Sequence, residues 1–302
     1  MTDLRAPPGE RTVDDLLSFG VVNLDKPPGP SAHQVSAWAR DATGVDRAAH
    51  AGTLDPKVTG CLPILLGDAT RLAQVFLEGA KEYVAVLELH GPPPADLDAT
   101  VATFEGEIYQ KPPRKSAVAR RLRTREIYDL DLLEVRDRKA LCRIRCESGT
   151  YVRKLCHDLG LAAGTGAHMG DLRRVGTGPF DDTELVSTAA LTDALAFADE
   201  GDEGPLRDAV APAERALVDL PRLTVAVSAA REIAEGAPVY APGVVDVGTA
   251  VESARRHGRE SDGDAPLVAC FTPGGAAVCL GRLVGDPRAD AGEVVSLERV
   301  LV

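Results

Sequence analysis

Apolar and polar positions alternate along this chain with two different periods, and the period changes from segment to segment. "GVVNLDKPPGPS", from residue 20, is a short apolar run closing on a proline–glycine turn, which predicts a strand. "SAHQVSAWARDATG" follows with helical spacing, with Ser31 placed to cap it and Gly44 to end it. "KEYVAVLELHG" alternates with period two and predicts a strand, whereas "PADLDATVATFEGEIYQ" predicts a capped helix. "REIYDLDLLEVRDRKALCRIRCESGTYV" predicts a β-meander turning at "RDRK", and "VRKLCHDLGLAAG" a helix after it. Together these predict an α+β body over about residues 20–180. Residues 1–19 form an extension with one amphipathic piece, "VDDLLSF". The stretch 181–219 is acidic and alanine-rich, a linker with helix-like pieces such as "STAALTDALAFA". Over 220–302 the texture becomes β-type: "LTVAV", "APVYAPGVVDV", "PLVACF", "AAVCLGRLV" and "VVSLERVLV", separated by Gly and Pro, predict a small β-barrel. "ESARRHGRESDGDA" reads as an exposed loop between them.

Composition narrows the class. The chain has 302 residues, enough for one or two domains, with 44% apolar and 26% charged residues, as in a soluble globular protein. No run approaches the roughly 18 apolar residues of a membrane helix, and the charged, proline-bearing N-terminus lacks a secretory h-region. A cytoplasmic protein with no membrane association is expected. The six cysteines form no CxxC pair; Cys142 and Cys146 share one face of a predicted strand, but two ligands do not make a zinc site. They are expected as small buried hydrophobes, and no metal is expected.

The net charge of −12 argues against a nucleic-acid partner, whose phosphates reward positive charge. The distribution of charge reverses that argument. From Arg114 to Arg125, "RKSAVARRLRTR" holds six basic residues and no acidic one, while acids concentrate in stretches such as "ALAFADEGDEGPLRDAVAPAE". The 34 basic residues comprise 27 Arg and 7 Lys. A basic working face on a surface kept acidic for high salt accounts for both features; a GC-rich genome would also favour Arg.

"HAGTLDPKVTGCLPILLGDATRL" places Asp55 between Thr53–Leu54 and Pro56, ahead of a long apolar run. The residue before a proline is pushed toward extended backbone, so "LDP" predicts a tight loop presenting a carboxylate. Local physics leaves two readings open: an Asx turn, or a fixed nucleophile or general base. In "ESGTYVRKLCHDLG", Tyr151 and Arg153 stand at i, i+2 near the end of a predicted strand, and so on one face. An arginine there could orient Asp55, and a tyrosine could stack on a planar substrate. Tyr83 reads first as core packing. His50 lies five residues before Asp55, and His33 in the first turn of a helix. The histidines match no Ser-His-Asp or HExxH order, and no phosphate-binding glycine loop occurs. Arg173 and Arg174, in "GTGAHMGDLRRVGTGPF" after an apolar turn, add to the basic residues available to phosphate.

Six segments in order, "VVNLDKPPGPSAHQV", "HAGTLDPKVTGCLPILLGDATRL", "KEYVAVLELHG", "PPRKSAVARRLRTREIYDLDLLE", "CESGTYVRKLCHDLG" and "MGDLRRVGTGPF", resemble the dyskerin-type pseudouridine synthases, the catalytic subunits of archaeal and eukaryotic H/ACA ribonucleoproteins. The resemblance is close over about 20–180, and looser over the C-terminal segment, which looks like a PUA domain, a small RNA-binding barrel. The bacterial stand-alone synthase that modifies the tRNA T-loop shares the "GTLDP" motif and a "GTYVR"-like one; the basic form of "KSAVARRLRTR" is dyskerin-like. The resemblance implies a mixed or antiparallel-sheet catalytic domain that isomerises uridine to pseudouridine. Asp55 would act on the ribose–uracil linkage, Tyr83 would stack on the flipped base, and Arg153 would pair with Asp55. Tyr151 and Leu172 would line the pocket, with His50 near the extruded nucleotide. The segment around Arg114, Lys115, Arg120 and Arg121 would clamp RNA, with Arg173 and Arg174 as further phosphate contacts. No cofactor is implied. The implied partners are an H/ACA guide RNA, substrate rRNA, a small zinc-ribbon-like subunit, a glycine-arginine-rich-type subunit and a kink-turn-binding ribosomal protein. Two alternatives stand beside it: a guide-independent tRNA synthase, and a non-catalytic RNA scaffold.

If the acidic surface is an adaptation to salt, the unfolding free energy from denaturant titration should rise from low to molar KCl. Greatest stability at low salt would rule that adaptation out.

Overall fold

The helix that follows the first strand is written into its ends. Ser31 Oγ accepts the Gln34 amide at 3.2 Å and Gln34 Oε1 accepts the Ser31 amide at 2.8 Å, a reciprocal capping box, and Gly44 closes the last turn. Ala32, Val35 and Ala39 make its buried stripe. The structure is a computed structural model that describes residues 4–112, 119–251 and 265–302. Its helices are α1 (Val13–Ser18), α2 (Ala32–Thr43), α3 (Val75–Glu78), α4 (Leu97–Ala102), α5 (Val152–Ala162), α6 (Thr188–Asp199), α7 (Gly204–Ala209) and α8 (Val227–Ala234). Among the described residues, no helix is long and apolar enough to cross a membrane.

The first sheet uses β1 (Gly20–Lys26), β2 (Ala48–His50), β3 (Thr59–Leu66), β4 (Lys81–Leu89), β5 (Gly106–Gln110), β6 (Arg123–Arg136), β7 (Lys139–Cys146), β8 (Ala167–Thr177), β9 (Phe180–Asp181) and β10 (Ala211–Pro212). Its main path runs β10-β1-β3-β8-β4-β7-β6-β5, with β2 on β3 and β9 on β8. The β3–β8 pair is parallel and its neighbours are antiparallel, so the expected mixed sheet is present. β3 is buried along nearly all its length despite carrying Pro63. The Pro63 carbonyl accepts the Ala51 amide at 2.8 Å. The missing N–H of Pro63 therefore faces that same edge and removes nothing from the ladder to β1. β4 alternates buried and half-buried positions, with Lys81, Tyr83, Ala85, Leu87 and Leu89 facing inward.

The second sheet holds β11 (Arg222–Val225), β12 (Val239–Tyr240), β13 (Val244–Val247), β14 (Leu267–Phe271), β15 (Ala277–Leu283) and β16 (Glu293–Val300), in the order β12-β16-β15-β14-β11-β13. Among the described residues it has six strands where five runs are predicted, because a 3-10 turn at Ala241–Gly243 divides "APVYAPGVVDV". The loop "ESARRHGRESDGDA" lies almost wholly outside the described residues.

Two other expectations need correction. "PADLDATVATFEGEIYQ" is not one helix: α4 ends at Ala102, and "GEIYQ" pairs with β6 as β5. The alternation of "GEIYQ" wins once a neighbouring strand supplies its ladder. The meander ends at Cys146, so Tyr151 is the N-cap of α5 and Arg153 lies inside that helix.

The N-terminal extension ties the two sheets together. Arg11 is buried and donates two bonds to Glu214, at 2.8 and 2.7 Å, while Glu214 also accepts the Ala277 amide at 3.0 Å. Arg5 reaches the Leu301 carbonyl at 2.9 Å and lies over the Phe19 ring. One apolar cluster runs from Phe19, Leu65 and Phe76 across to Phe271, Leu280 and Leu301. Both sheets therefore share a core.

Candidate active site around Asp55

The loop Ala51–Val58 connects β2 to β3, and its backbone is held at several points. The Ala51 amide donates to Pro63 O at 2.8 Å, Val58 to Asp55 O at 3.0 Å, and Gly29 to Pro56 O at 2.9 Å. Leu54 and Val58 are buried anchors on either side of Asp55, which is exposed. Gly52 has φ +101°, and a Cβ there would stand 3.3 Å from Arg174 Nη1. Gly60 is required by contact, since its Cβ would lie 2.2 Å from the Arg174 carbonyl oxygen. These two glycines let the loop turn tightly against β8.

Three buried cations lie beneath the loop. Lys26 is fully buried and donates to Pro27 O, Pro56 O and Val58 O at 3.0, 2.9 and 2.8 Å. Burial lowers its pKa, and the nearby Asp55 carboxylate opposes that shift. Arg174 is 1% exposed; its Nε donates to Cys61 O at 2.7 Å and its two Nη atoms lie 3.4 Å from Gly52 O. Lys81 donates to Phe76 O at 2.7 Å and Gly79 O at 2.9 Å. Burial, reinforced by Arg174, pushes its ammonium down to about 8. Each cation spends its donors on backbone carbonyls, which satisfies the charge where water is excluded.

Asp55 Oδ2 is paired with Arg153 Nη2. Both side chains remain substantially exposed, so the contact contributes orientation rather than much stability. Arg153 reaches the loop because α5 begins at Val152 and packs against β8. Tyr83, on the inward face of β4, stands opposite Arg174 in the β4–β8 register, and Leu172 opposite Ala85. Tyr83, Leu172 and Arg174 are all buried. Burial raises the pKa of the Tyr83 hydroxyl, and the nearby Arg174 guanidinium opposes that shift. His50 ends β2, half-buried; burial first, then Arg174 and His33, hold its pKa below the usual histidine range. Its Nδ1 has no partner among the described residues. The fold thus gathers Asp55, Arg153, Tyr83, Leu172 and His50 about one loop, with Tyr151 at the head of α5.

The remaining candidates divide. Arg174 is buried and out of reach of an RNA phosphate, so the expected phosphate contact is corrected: its guanidinium is engaged by Cys61 O and Gly52 O. Both arginines lie on strand β8, not after a turn. Arg173 is committed to Asp25 at 3.0 Å, with Asp182 at 3.9 Å. Arg120 and Arg121 are exposed, with Arg120 Nε on Pro112 O at 3.1 Å. Arg114 and Lys115 lie outside the described residues. All six cysteines are buried, and burial pushes the Cys61 and Cys156 thiols up to about 12 and those of Cys142 and Cys146 to about 11. They are buried thiols, as expected. Sequence reasoning missed Lys26 and Lys81. The signal for Lys81 was its position two residues before Tyr83, in phase with Ala85, Leu87 and Leu89 on the buried face.

Comparison with known proteins adds to this geometry. The model of the TruB family pseudouridylate synthase N-terminal domain matches residues 40–93 and 91–152. The tRNA pseudouridylate synthase B C-terminal domain matches 153–218, and the DKCLD (NUC011) domain matches 3–36. A probable tRNA pseudouridine synthase B of Haloarcula marismortui is 66% identical over 99% of this chain and 94% of its own length. One of Methanopyrus kandleri is 45% identical over 98% of this chain and 86% of its own length. Among solved structures, a Cbf5–Nop10–Gar1 complex is similar with a TM-score of 0.90 and 40% identity, covering 99% of this chain and 90% of the matched one. An H/ACA RNP bound to a substrate RNA containing 2′-deoxyuridine is similar at a TM-score of 0.88 and 38% identity, over 99% and 90% of the two chains.

The Lys81 ammonium has a pH signature. Its folded pKa lies below its unfolded value of about 10.4, so between about pH 8 and that value the unfolded chain binds a proton the folded chain has released. Its charge therefore burdens the fold fully below pH about 8, and stability should recover as pH rises through the window, by about 1.4 kcal/mol per pH unit. Denaturant titrations from pH 7 to 10 should show this rise in the native chain relative to Lys81→Met; parallel pH profiles would contradict it.

Proposed function

The chain belongs to the TruB family of pseudouridine synthases, and from that premise we propose that it is the catalytic subunit of an H/ACA ribonucleoprotein, isomerising rRNA uridines selected by a guide RNA. The observation that supports this reading is the likeness to solved structures of a Cbf5–Nop10–Gar1 complex and of an H/ACA RNP over 99% of the chain, which extends through the N-terminal strap and the second sheet. On this reading the second sheet, over about 220–302, serves as the PUA-like RNA-binding module, and 20–180 as the catalytic domain. The partners are a guide RNA, the zinc-ribbon-like and glycine-arginine-rich-type subunits, and a kink-turn-binding ribosomal protein.

The chemistry follows from the site. Uridine must leave the stack before its glycosidic bond is accessible. Asp55 is exposed at the loop tip, oriented by Arg153, and acts where the N1–C1′ bond breaks. The freed uracil turns and rejoins C1′ through C5; the C5 proton departs and N1 regains one, so atoms balance with no redox equivalent and no group donor. Tyr83 forms the aromatic wall against the base and assists the late removal of the C5 proton. Tyr151 and Leu172 line the pocket, and His50 sits beside the extruded nucleotide. Arg120 and Arg121, with Arg114 and Lys115, contact the RNA backbone. Arg173 is already engaged by Asp25 and Asp182, and Arg174 holds the loop instead of the RNA.

A second reading is guide-independent modification of tRNA, favoured by the names of the 66% identical relatives. A scaffold without catalysis has no use for the intact Asp55–Arg153 pair.

Pseudouridine mapping on matched rRNA and tRNA substrates, with and without guide RNA and partner proteins, separates these readings. The proposal expects guide-dependent modification of rRNA, lost below detection in Asp55→Asn while RNA affinity stays within about twofold. Modification that persists in Asp55→Asn would sink the mechanism; tRNA modification without a guide would favour the second reading.

A further inference from the structure

Tyr151 heads α5 without a side-chain cap of its own. Its backbone is held from 41 residues away. Gln110, the last residue of β5, is buried, 1% exposed. Its Oε1 accepts the Tyr151 amide at 2.9 Å, and its Nε2 donates to the Tyr151 carbonyl at 3.2 Å. One carboxamide thus meets both polar groups of a single residue, as a neighbouring strand would. The Tyr151 carbonyl also accepts the Leu155 amide at 3.0 Å, the first bond of the helix. Fixing Tyr151 therefore fixes where α5 starts and how its first turn is aimed. Arg153, two residues on, is the partner of Asp55.

A second contact acts on the same tyrosine. The Arg123 guanidinium, at the start of β6, lies 5.9 Å from the centre of the Tyr151 ring. Two residues further along the same strand, Arg125 pairs with Glu147 at 3.2 Å, on the turn that leads into Tyr151. The β5–β6 hairpin thus grips Tyr151 by its backbone and by its ring.

We propose that Gln110 is a positioning residue for the isomerisation: it sets the register of Tyr151 and, through the first turn of α5, the aim of Arg153 at Asp55. This rests on the reading of Asp55 as the reacting carboxylate. Gln110 does not touch the RNA. Its loss should lower the rate of the chemical step and leave binding unaltered, because misplacement of about 1 Å at a reacting group can cost on the order of 100-fold.

The test measures single-turnover pseudouridine formation at saturating RNA, with RNA affinity measured separately, in the assembled protein. Gln110→Leu should lower the rate by between about 10- and 100-fold and keep RNA affinity within about twofold. Gln110→Asn, whose shorter amide cannot span both groups, should fall between it and the native chain, and it serves if Gln110→Leu fails to fold. A double-mutant cycle with Arg153→Met separates positioning from general destabilisation. If Gln110 acts through Arg153, its substitution should cost less than about threefold once Arg153 is gone. An unchanged rate in both Gln110 variants overturns the inference. So does a loss matched by weaker RNA binding, and so does an undiminished loss in the Arg153→Met background. Asp55→Asn run alongside keeps the two claims apart. An active Asp55→Asn chain defeats the reading of the site; an inactive one beside fully active Gln110 variants defeats this inference alone.

Discussion

The site depends on one constraint: three buried cations must be satisfied without water. Lys26, Lys81 and Arg174 meet it with main-chain carbonyls of Pro27, Pro56, Val58, Phe76, Gly79, Cys61 and Gly52. A buried charge left without such partners costs several kcal/mol. Each carbonyl is consequently fixed where the cation needs it. Four of the seven belong to the segment from Gly52 to Cys61, so the loop that carries Asp55 is fastened from beneath. The burial of its neighbours thus sets the position of Asp55.

The same economy links the site to the rest of the fold. β3 runs into the core directly after the loop, and β8 brings Arg174 beneath it and Leu172 beside Tyr83. α5, packed on β8, returns Arg153 to the exposed side of Asp55. The carboxylate therefore has a rigid, dry underside and an open, polar face. On the proposed reading, a base flipped from RNA enters from that open face and meets Tyr83, which stands opposite Arg174 in the β4–β8 register. The N-terminal strap and the shared apolar cluster hold the second sheet against this body through Arg11 and Glu214.

Much of this was legible in the chain because the determinants were local. Ser31, Gln34 and Gly44 announce α2 to the residue. The period-two pattern of "KEYVAVLELHG" gives β4, and Asp55 stands out as a carboxylate before a proline at the edge of an apolar run. What was not legible depends on distant partners. "GTYV" has the composition of a strand, and Tyr151 becomes a helix N-cap only because Gln110 arrives from 41 residues away. Arg174 resembled a phosphate contact beside Arg173, since no local pattern reveals that it is buried against Cys61 and Gly52. Lys26 was equally silent, its acceptors being main-chain atoms with no side-chain signature. The six motifs of the resemblance pointed to Asp55 and the residues gathered about its loop; the buried cations explain why that loop holds its shape.

Amide hydrogen exchange in the RNA-free protein tests the central claim most directly. The amides of Gly29, Ala51 and Val58 report on hydrogen bonds to Pro56, Pro63 and Asp55. If the cations fasten the loop, these amides open only with the surrounding sheet, and their protection should approach that of β3 and β4. Exchange at the rate of a free surface loop would mean that the loop is ordered only on binding RNA, and would contradict the account.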